Sequence, residues 1–264
     1  MSAPRVIILG AGEGSRLRPM TSSVPKCLAP LAGRPLMAHQ ISRFQAAGLH
    51  NISVVAGYRR EQVEKFARDR DIFCVHNPDY ATTNMVATLF AAEGRFPIDQ
   101  DLIVSYGDIV FDDAVLASLL ECRHEICVSV DLDWRDLWSL RMEDPLADAE
   151  TLKFGPDGRL REIGKRPTGY QDIEGQYLGL VKVRTDRIEK LRAAYHAMDR
   201  DAIYDGKDFD NMYMTSFLQH LIDTGWRVQG APVQGGWLEI DTVDDLEVYE
   251  TMHRRGELKK YIDL

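Results

Sequence analysis

The apolar run Val6 to Leu9 passes without a spacer into GAGEGSRLRP, and that junction restricts the fold more than any other feature of the chain. A short β-branched run followed at once by a glycine loop puts backbone N–H groups at the carboxyl edge of a sheet, where α/β proteins bind ligands. The pattern then repeats. Strand candidates at Arg5 to Leu9, Ile52 to Ala56, Ile72 to Val75, Asp101 to Tyr106 and Ile126 to Val130 alternate with amphipathic stretches near Pro35 to Ala47, Arg60 to Asp69, Asn84 to Gly94 and Asp113 to Cys122. This order predicts an α/β fold, a mostly parallel sheet with crossover helices. Helix-end signals agree: Pro35 suits a first helical turn, and Gly48 suits the left-handed position after a last one.

After Val130 comes a Trp-rich, charged segment, DLDWRDLWSLRMEDPLADAE, and then glycine-punctuated strands at Arg159 to Ile163 and Gln176 to Val183. We expect an insertion and hairpin over one end of the sheet, at about 131–183, within a single domain spanning 1–264. Helices are predicted at Thr185 to His196 and Asn211 to Thr224, strands at Trp226 to Val233 and Trp237 to Ile240, and a last helix from Val243 with Thr242 as its N-cap.

Charge and cysteines narrow the partners. With 32 Lys+Arg against 41 Asp+Glu the net charge is −9, so DNA and anionic membranes should repel the chain and any phosphate ligand needs a local basic pocket. No apolar run approaches the roughly 20 residues of a membrane span, and neither membrane insertion nor a signal peptide is expected. Cys27, Cys74, Cys122 and Cys127 match neither zinc nor CxxC spacing. They read as reduced thiols of a cytoplasmic protein.

The loop's spacing excludes two common nucleotide sites. A dinucleotide fingerprint needs a third glycine where Ser15 stands, and an acidic residue about twenty positions on, which is missing. A Walker loop needs a glycine five residues before Gly-Lys, but Arg159 and Asp201 occupy those places ahead of Lys165 and Lys207. What remains is a glycine loop bearing Arg16 and Arg18, with Lys26 shortly after. Glycines let the backbone approach phosphate oxygens while Arg and Lys neutralise a departing pyrophosphate, so the loop suits a triphosphate. A flexible turn with solvated basic residues is the structural alternative.

The run GAGEGSRLRPMTSSVPKCLAPLAGRPLM resembles the signature of the sugar-phosphate and alcohol-phosphate nucleotidyltransferases, with loop, Arg, Pro-Lys and Gly-x-Pro helix start in order. The resemblance implies a GT-A-like, Rossmann-type sheet, an NTP donor and Mg²⁺ as catalytic ion. Asp108, at the end of a buried strand, stands at the same edge as the loop; Asp241 lies between a short strand and a helix in GGWLEIDTVDDL. The resemblance pairs these aspartates around one Mg²⁺, in keeping with how that ion is held. For Asp241 a helix-start acid is the plain alternative, and Asp244 and Asp245 are left to structure.

In this chemistry the attacking group is a phosphate oxygen, mostly ionised at neutral pH because its second pKa is about 6, so no general base is required. Arg16, Lys26, Asp108 and Asp241 are the expected catalytic set. Arg16 and the loop, from Leu9 through Gly10, Ala11, Gly12, Glu13, Gly14 and Ser15, would take the β- and γ-phosphates, and Lys26 the α-phosphate. Gly107, Asn77, Thr83 and Asn84 complete the expected nucleotide site.

Sugar-1-phosphate members usually carry a Gly-Leu run after the third strand, where this chain reads HNPDYATTNMVATLFAAE. The departure resembles bacterial cytidylyltransferases acting on phosphocholine, aminoethylphosphonate and related small phosphorylated amines, which implies CTP as donor. Asn84 reads cytosine, binds the acceptor, or merely caps a helix. On the acceptor side Lys165 is the candidate for the phosphate, or else an exposed hairpin lysine. Trp134, Trp138, Tyr170, Tyr177 and Trp237 form either a cage for a quaternary ammonium or ordinary core. Asp136, Glu143 and Asp144 could instead hold an amine, and Glu239 and Asp210 are further acceptor candidates, with an N-cap role open for Asp210. The expectation is CMP transfer to a small phosphorylated alcohol or amine for surface polysaccharide or lipid, by a monomer or homodimer. A UTP- or dTTP-dependent sugar-1-phosphate enzyme and a non-catalytic nucleotide sensor are the competing readings.

Overall fold

A computed structural model describes residues 3–264. In chain order, β1 (Arg5–Gly10) leads through the glycine loop to a two-residue hairpin, β2 (Pro30–Leu31) and β3 (Arg34–Pro35), and then α1 (Leu36–Ala46). Next come β4 (Ile52–Ala56), α2 (Arg60–Arg68), β5 (Phe73–His76), α3 (Met85–Ala91), β6 (Leu102–Tyr106), β7 (Ile109–Phe111), α4 (Asp113–Glu121) and β8 (Ile126–Asp131). The later half holds α5 (Trp134–Arg141), the hairpin β9 (Leu152–Phe154) and β10 (Leu160–Ile163), β11 (Gln176–Val183), α6 (Ile188–Ala197) and α7 (Met214–Asp223). Strands β12 (Val228–Val233) and β13 (Trp237–Glu239) precede the last helix, α8 (Val243–Arg254).

Seven strands form the central sheet in the order β12-β8-β11-β6-β1-β4-β5. Because helices cover both faces, its inner strands read as continuous apolar runs rather than alternating ones. Successive residues serve opposite cores: Val6 and Ile8 join the cluster packed by α1, α4 and α8, while Ile7 and Leu9 join the one packed by α3, α6 and α7. Pro35 stands just before α1, in β3, rather than in its first turn, and α7 begins at Met214 rather than Asn211, but three other helix starts are capped by side chains. Asn84 caps α3, Asp112 accepts from Ala114 and Val115 at α4, and Thr242 and Asp245 form a reciprocal capping box at α8.

Three expectations change. The segment 131–183 divides: Gln176–Val183 is no part of an insertion but a central strand, antiparallel to both β6 and β8. The sheet is therefore mixed at its middle, and only α5 and the β9–β10 hairpin stand outside it. Second, the Trp-rich segment folds as α5, a helix that the sequence did not mark. Third, Cys122 and Cys127 are joined in a disulfide, leaving Cys27 and Cys74 free, so the reading of four reduced thiols is corrected. The turn that ends α4 brings the chain straight back into β8, placing the two Cα atoms 6.2 Å apart, within bonding reach.

Candidate functional site

The glycine loop is held from behind. Gly14 adopts φ +64°, and a Cβ there would stand 2.8 Å from Lys26 Cβ, so only glycine lets the Lys26 stem pass against the loop. A Cβ on Gly107 would meet the Leu9 carbonyl at 2.5 Å, which fixes the close approach of the β1 and β6 ends. Beyond Gly14 the loop is tied to the start of α2. Thr21 donates to the Gly14 carbonyl at 2.8 Å, Tyr58 donates to the Thr21 carbonyl at 2.9 Å, and Gln62 donates to the Ser23 carbonyl at 2.8 Å. Such clamping orders the loop backbone in advance of any ligand.

At the mouth of that loop Lys26 Nζ lies 2.6 Å from Asp108 Oδ2 and 2.7 Å from Asp241 Oδ1. Arg16 reaches the other Asp241 oxygen, Oδ2, at 2.5 Å. Burial disfavours the Lys26 charge, but Asp108, Asp241 and Glu239 outweigh it and hold the ammonium protonated well above its ordinary range. Arg18, the third cation expected here, turns outward and pairs with Glu13 instead.

A second ion network backs the first. Arg141 on α5 is almost fully buried, grips Asp245 through Nε at 2.9 Å and Nη2 at 3.2 Å, and reaches Glu239 at 3.0 Å. Asp245 Oδ2 in turn accepts from the backbone N–H of Asp241 at 3.0 Å and of Thr242 at 2.9 Å. Burial would raise the Asp245 pKa, yet the Arg141 contacts keep it below the usual carboxylate range. Asp241 is thus oriented from α8 through its own backbone.

The donor set suits a divalent cation. Asp108 Oδ1 is buried without a hydrogen-bond partner, the kind of hard oxygen Mg²⁺ prefers, whereas the oxygens of Asp241 are engaged by Lys26 and Arg16 and would reach a cation only once those cations turn to phosphate. No group of three or more His, Cys, Asp or Glu fit to hold a metal occurs among the described residues. Phosphate oxygens and water would have to complete such a site.

A cavity opens between the loop and α3. From the expected nucleotide set it is lined by Leu9, Gly10, Ala11, Gly12, Lys26, Thr83, Asn84 and Gly107, together with Asp108. Glu13, Gly14, Ser15 and Arg16 belong to the loop but not to this wall. Asn77 is a correction. Its amide is buried and bonded to Thr83 and Thr88 at 3.2 and 3.1 Å, and its oxygen accepts from Asp79, so it shapes the wall from behind. Asn84 lines the cavity and also caps α3, accepting from Met85 N–H at 2.8 Å, so the cap reading holds.

The wall also contains Tyr80, Thr88 and Tyr106, which sequence reasoning missed. Tyr106 had a signal, since it ends the strand that delivers Gly107-Asp108. Arg141 had none, because its partners lie about a hundred residues further along the chain.

The acceptor candidates fare differently. Trp134 and Trp138 are core, 5% and 4% exposed, and Trp138 packs on Trp237 at 5.8 Å between ring centres. Tyr170 is covered by Arg135, whose guanidinium lies 3.9 Å from the ring centre. No aromatic cage forms from these residues: α5 uses its indoles to pack against Trp237 of β13 and against Tyr170. Glu239 is likewise corrected, because it stands behind the two aspartates on Arg141 rather than facing an acceptor. Its neighbours Asp108 and Asp241, added to burial, raise its pKa against the pull of Arg141.

Asp210 lends its backbone carbonyl to Asn84 N–H at 2.9 Å while its carboxylate is exposed. Asp144 caps a short turn, and Asp136 and Glu143 face solvent. Tyr177 packs edge-on against Tyr106 at 5.6 Å, next to the cavity between the loop and α3. Lys165 lies half exposed on a second, wider cleft that also contains Glu150, Arg166, Asp205 and Tyr213.

Comparison with known proteins places the family and the fold. The MobA-like NTP transferase domain family matches residues 6–203. The chain is 41% identical over 248 residues to a CTP:phosphoglutamine cytidylyltransferase of Campylobacter jejuni, covering 92% of this chain and 97% of that protein. Among solved structures, the inositol-1-phosphate CTP transferase of T. maritima superposes with a TM-score of 0.76 at 23% identity, over 100% of this chain and 99% of that one. The CTP:phosphocholine cytidylyltransferase of Streptococcus pneumoniae gives 0.71 at 22% identity, over 96% and 100%. At those identities the two structures speak for the Rossmann-type fold. With the domain match spanning most of its length, and a full-length relative well above 30% identity, the chain belongs to the MobA-like NTP transferase domain family.

Proposed function

We propose that the protein transfers CMP from CTP to a small phosphorylated amine or alcohol, with release of pyrophosphate, and that the acceptor is a phosphorylated amino acid. The observation that carries the reaction type is Lys26, held charged between Asp108 and Asp241 at the mouth of a clamped glycine loop. The choice of CTP and of an amino-acid acceptor is supported by the full-length similarity to a phosphoglutamine cytidylyltransferase.

An oxygen of the acceptor phosphate attacks the α-phosphorus in line; the new P–O bond forms as the bond to the β-phosphate oxygen breaks. No residue has to remove a proton, because the attacking phosphate is already largely ionised at neutral pH. The chain's work is positioning and charge neutralisation. Backbone N–H groups of the loop and Arg16 receive the β- and γ-phosphates, and Lys26 presents its ammonium to the α-phosphate. Asp108 and Asp241 would hold Mg²⁺, which neutralises phosphate charge when bound. Arg141 and Asp245 keep Asp241 aimed. Asn84 and Thr83 face the base from the cavity wall, and Lys165 stands on the acceptor side.

We place the reaction in the cytoplasm by likeness to the CTP-dependent relative, the Cys122–Cys127 disulfide having removed the reduced-thiol argument, and its product, a CDP-linked headgroup, is an activated donor for surface polysaccharide or lipid. No helix among the described residues is long and apolar enough to cross a membrane. A homodimer remains part of the proposal, to be read by light scattering. Pyrophosphate release with Mg²⁺ tests the function, crossing CTP, UTP, dTTP, ATP and GTP against phosphorylated amino acids, phosphocholine, aminoethylphosphonate and glucose-1-phosphate. Release with CTP and a phosphorylated amino acid is expected; a UTP or dTTP preference with glucose-1-phosphate would contradict it.

A further inference from the structure

Glu150 precedes β9, and both its backbone groups are taken by Gln176: its N–H donates to Oε1 at 3.2 Å and its carbonyl accepts from Nε2 at 2.6 Å. The carboxylate is left facing the second cleft. No cation bears on it. The groups that influence its charge are Thr215, Asp148 and Asp205, and burial above all raises its pKa, to about 7. A largely buried carboxylate with no positive partner is a costly arrangement that a ligand cation would relieve.

Cations stand on the adjoining strand. Gly164 turns with φ +85°, its α-carbon side pressed on Thr215, where a Cβ would come within 2.5 Å. The backbone of Thr151 pairs with Gly164 and Lys165 at 3.0 and 2.8 Å, so Lys165 and Arg166 are fixed beside Glu150 across a two-stranded ribbon. Lys165 keeps its ammonium on Glu162, 3.1 Å away, rather than on Glu150. The cleft therefore displays both signs of charge side by side without their neutralising each other.

This cleft is one layer of side chains from the nucleotide cavity. Tyr106, in the cavity wall, packs on Tyr177, and the charge of Glu150 bears on both phenols. On the other side Asn84 donates to the Asn211 carbonyl at 3.3 Å, two residues before Tyr213 in the cleft.

We propose that this second cleft binds the zwitterionic end of a phosphorylated α-amino acid, with Glu150 receiving the α-ammonium and Lys165 and Arg166 the α-carboxylate. The inference rests on the CMP-transfer reading and assigns the acceptor's headgroup to named residues. A quaternary ammonium is disfavoured, because the indoles that would cage it are in the core.

The test compares phosphorylated L-glutamine with the same compound lacking its α-ammonium, on the full chain and on Glu150→Gln. Titration calorimetry without CTP and CMP-transfer kinetics are run in parallel. Removing the ammonium should weaken binding to the unsubstituted protein on the order of tenfold, and to Glu150→Gln by less than about threefold. Equal penalties in the two proteins overturn the assignment, as does failure of the unsubstituted protein to bind either compound. Should Glu150→Gln not fold, Arg166→Ala with the α-carboxylate converted to an amide applies the same comparison. Calorimetric discrimination without turnover removes the CMP-transfer reading and leaves the cleft; turnover with equal penalties does the reverse.

Discussion

The two sides of the site are built by different means. On the phosphate side a backbone loop, fixed by glycines and by hydrogen bonds from Thr21, Tyr58 and Gln62, carries cations inward onto two carboxylates. On the acceptor side a small hairpin and the start of α7 hold charged side chains around a wide cleft, with little backbone aimed into it. In the proposed reaction the first arrangement takes the triphosphate, which is the same for every acceptor. The second depends on side chains alone, and exchanging a few of them would change the acceptor without disturbing the sheet.

That contrast can be broken most severely at the aspartates. Asp108→Ala or Asp241→Ala should lower kcat by about 10²- to 10³-fold or more in steady-state assays at saturating Mg²⁺, because the charge they organise is part of transition-state stabilisation. Retention of most activity would remove that residue from the centre. Trp138→Ala should act through the fold. As a buried core indole it should cost about 3–5 kcal/mol in denaturant unfolding, with the acceptor KM of the surviving folded enzyme little changed. A large KM effect at undiminished stability would restore the aromatic-cage reading.

Lys165→Ala sharpens the contrast from the other side. It should raise the acceptor KM by about tenfold and leave the CTP KM within about twofold, the signature of lost acceptor binding. The opposite pattern would move Lys165 to the nucleotide. The smallest effect concerns pH. The folded Glu150 keeps its proton up to about pH 7, whereas the unfolded chain releases it near the ordinary value of 4.5. Its contribution to stability therefore falls as pH rises through that window. Glu150→Gln lacks this loss and should gain on the unsubstituted protein between pH 5 and 7.5 in denaturation curves; an unchanged difference would mean that Glu150 titrates normally.

The same division explains what was legible in the sequence. The strand-loop junction, the Pro-Lys run and the position of Asp108 are local, and the residues that build the loop sit together in the chain, so spacing and the family resemblance were enough to single them out. Asn84 and Thr242 were also readable as caps, because capping is decided within one helical turn. Arg141, Glu150 and the antiparallel β11 were not, since each is defined by partners far away in sequence. The Trp-rich segment misled for a related reason. Indoles suit either a binding face or a core, and only the packing of α5 on β13 and α8, far away in sequence, decides between them. Glu239 shows the limit most plainly: two residues from Asp241, it is turned by Arg141 to the rear of the site.

The most direct test of the central claim is a competition in one vessel, with CTP, UTP and dTTP at equal concentration, Mg²⁺, phosphorylated L-glutamine and glucose-1-phosphate, the products identified by mass spectrometry. A CMP adduct of the phosphorylated amino acid, formed with pyrophosphate, is the predicted product. A UMP or dTMP adduct of the sugar phosphate, or binding of CTP with no adduct at all, would contradict the account.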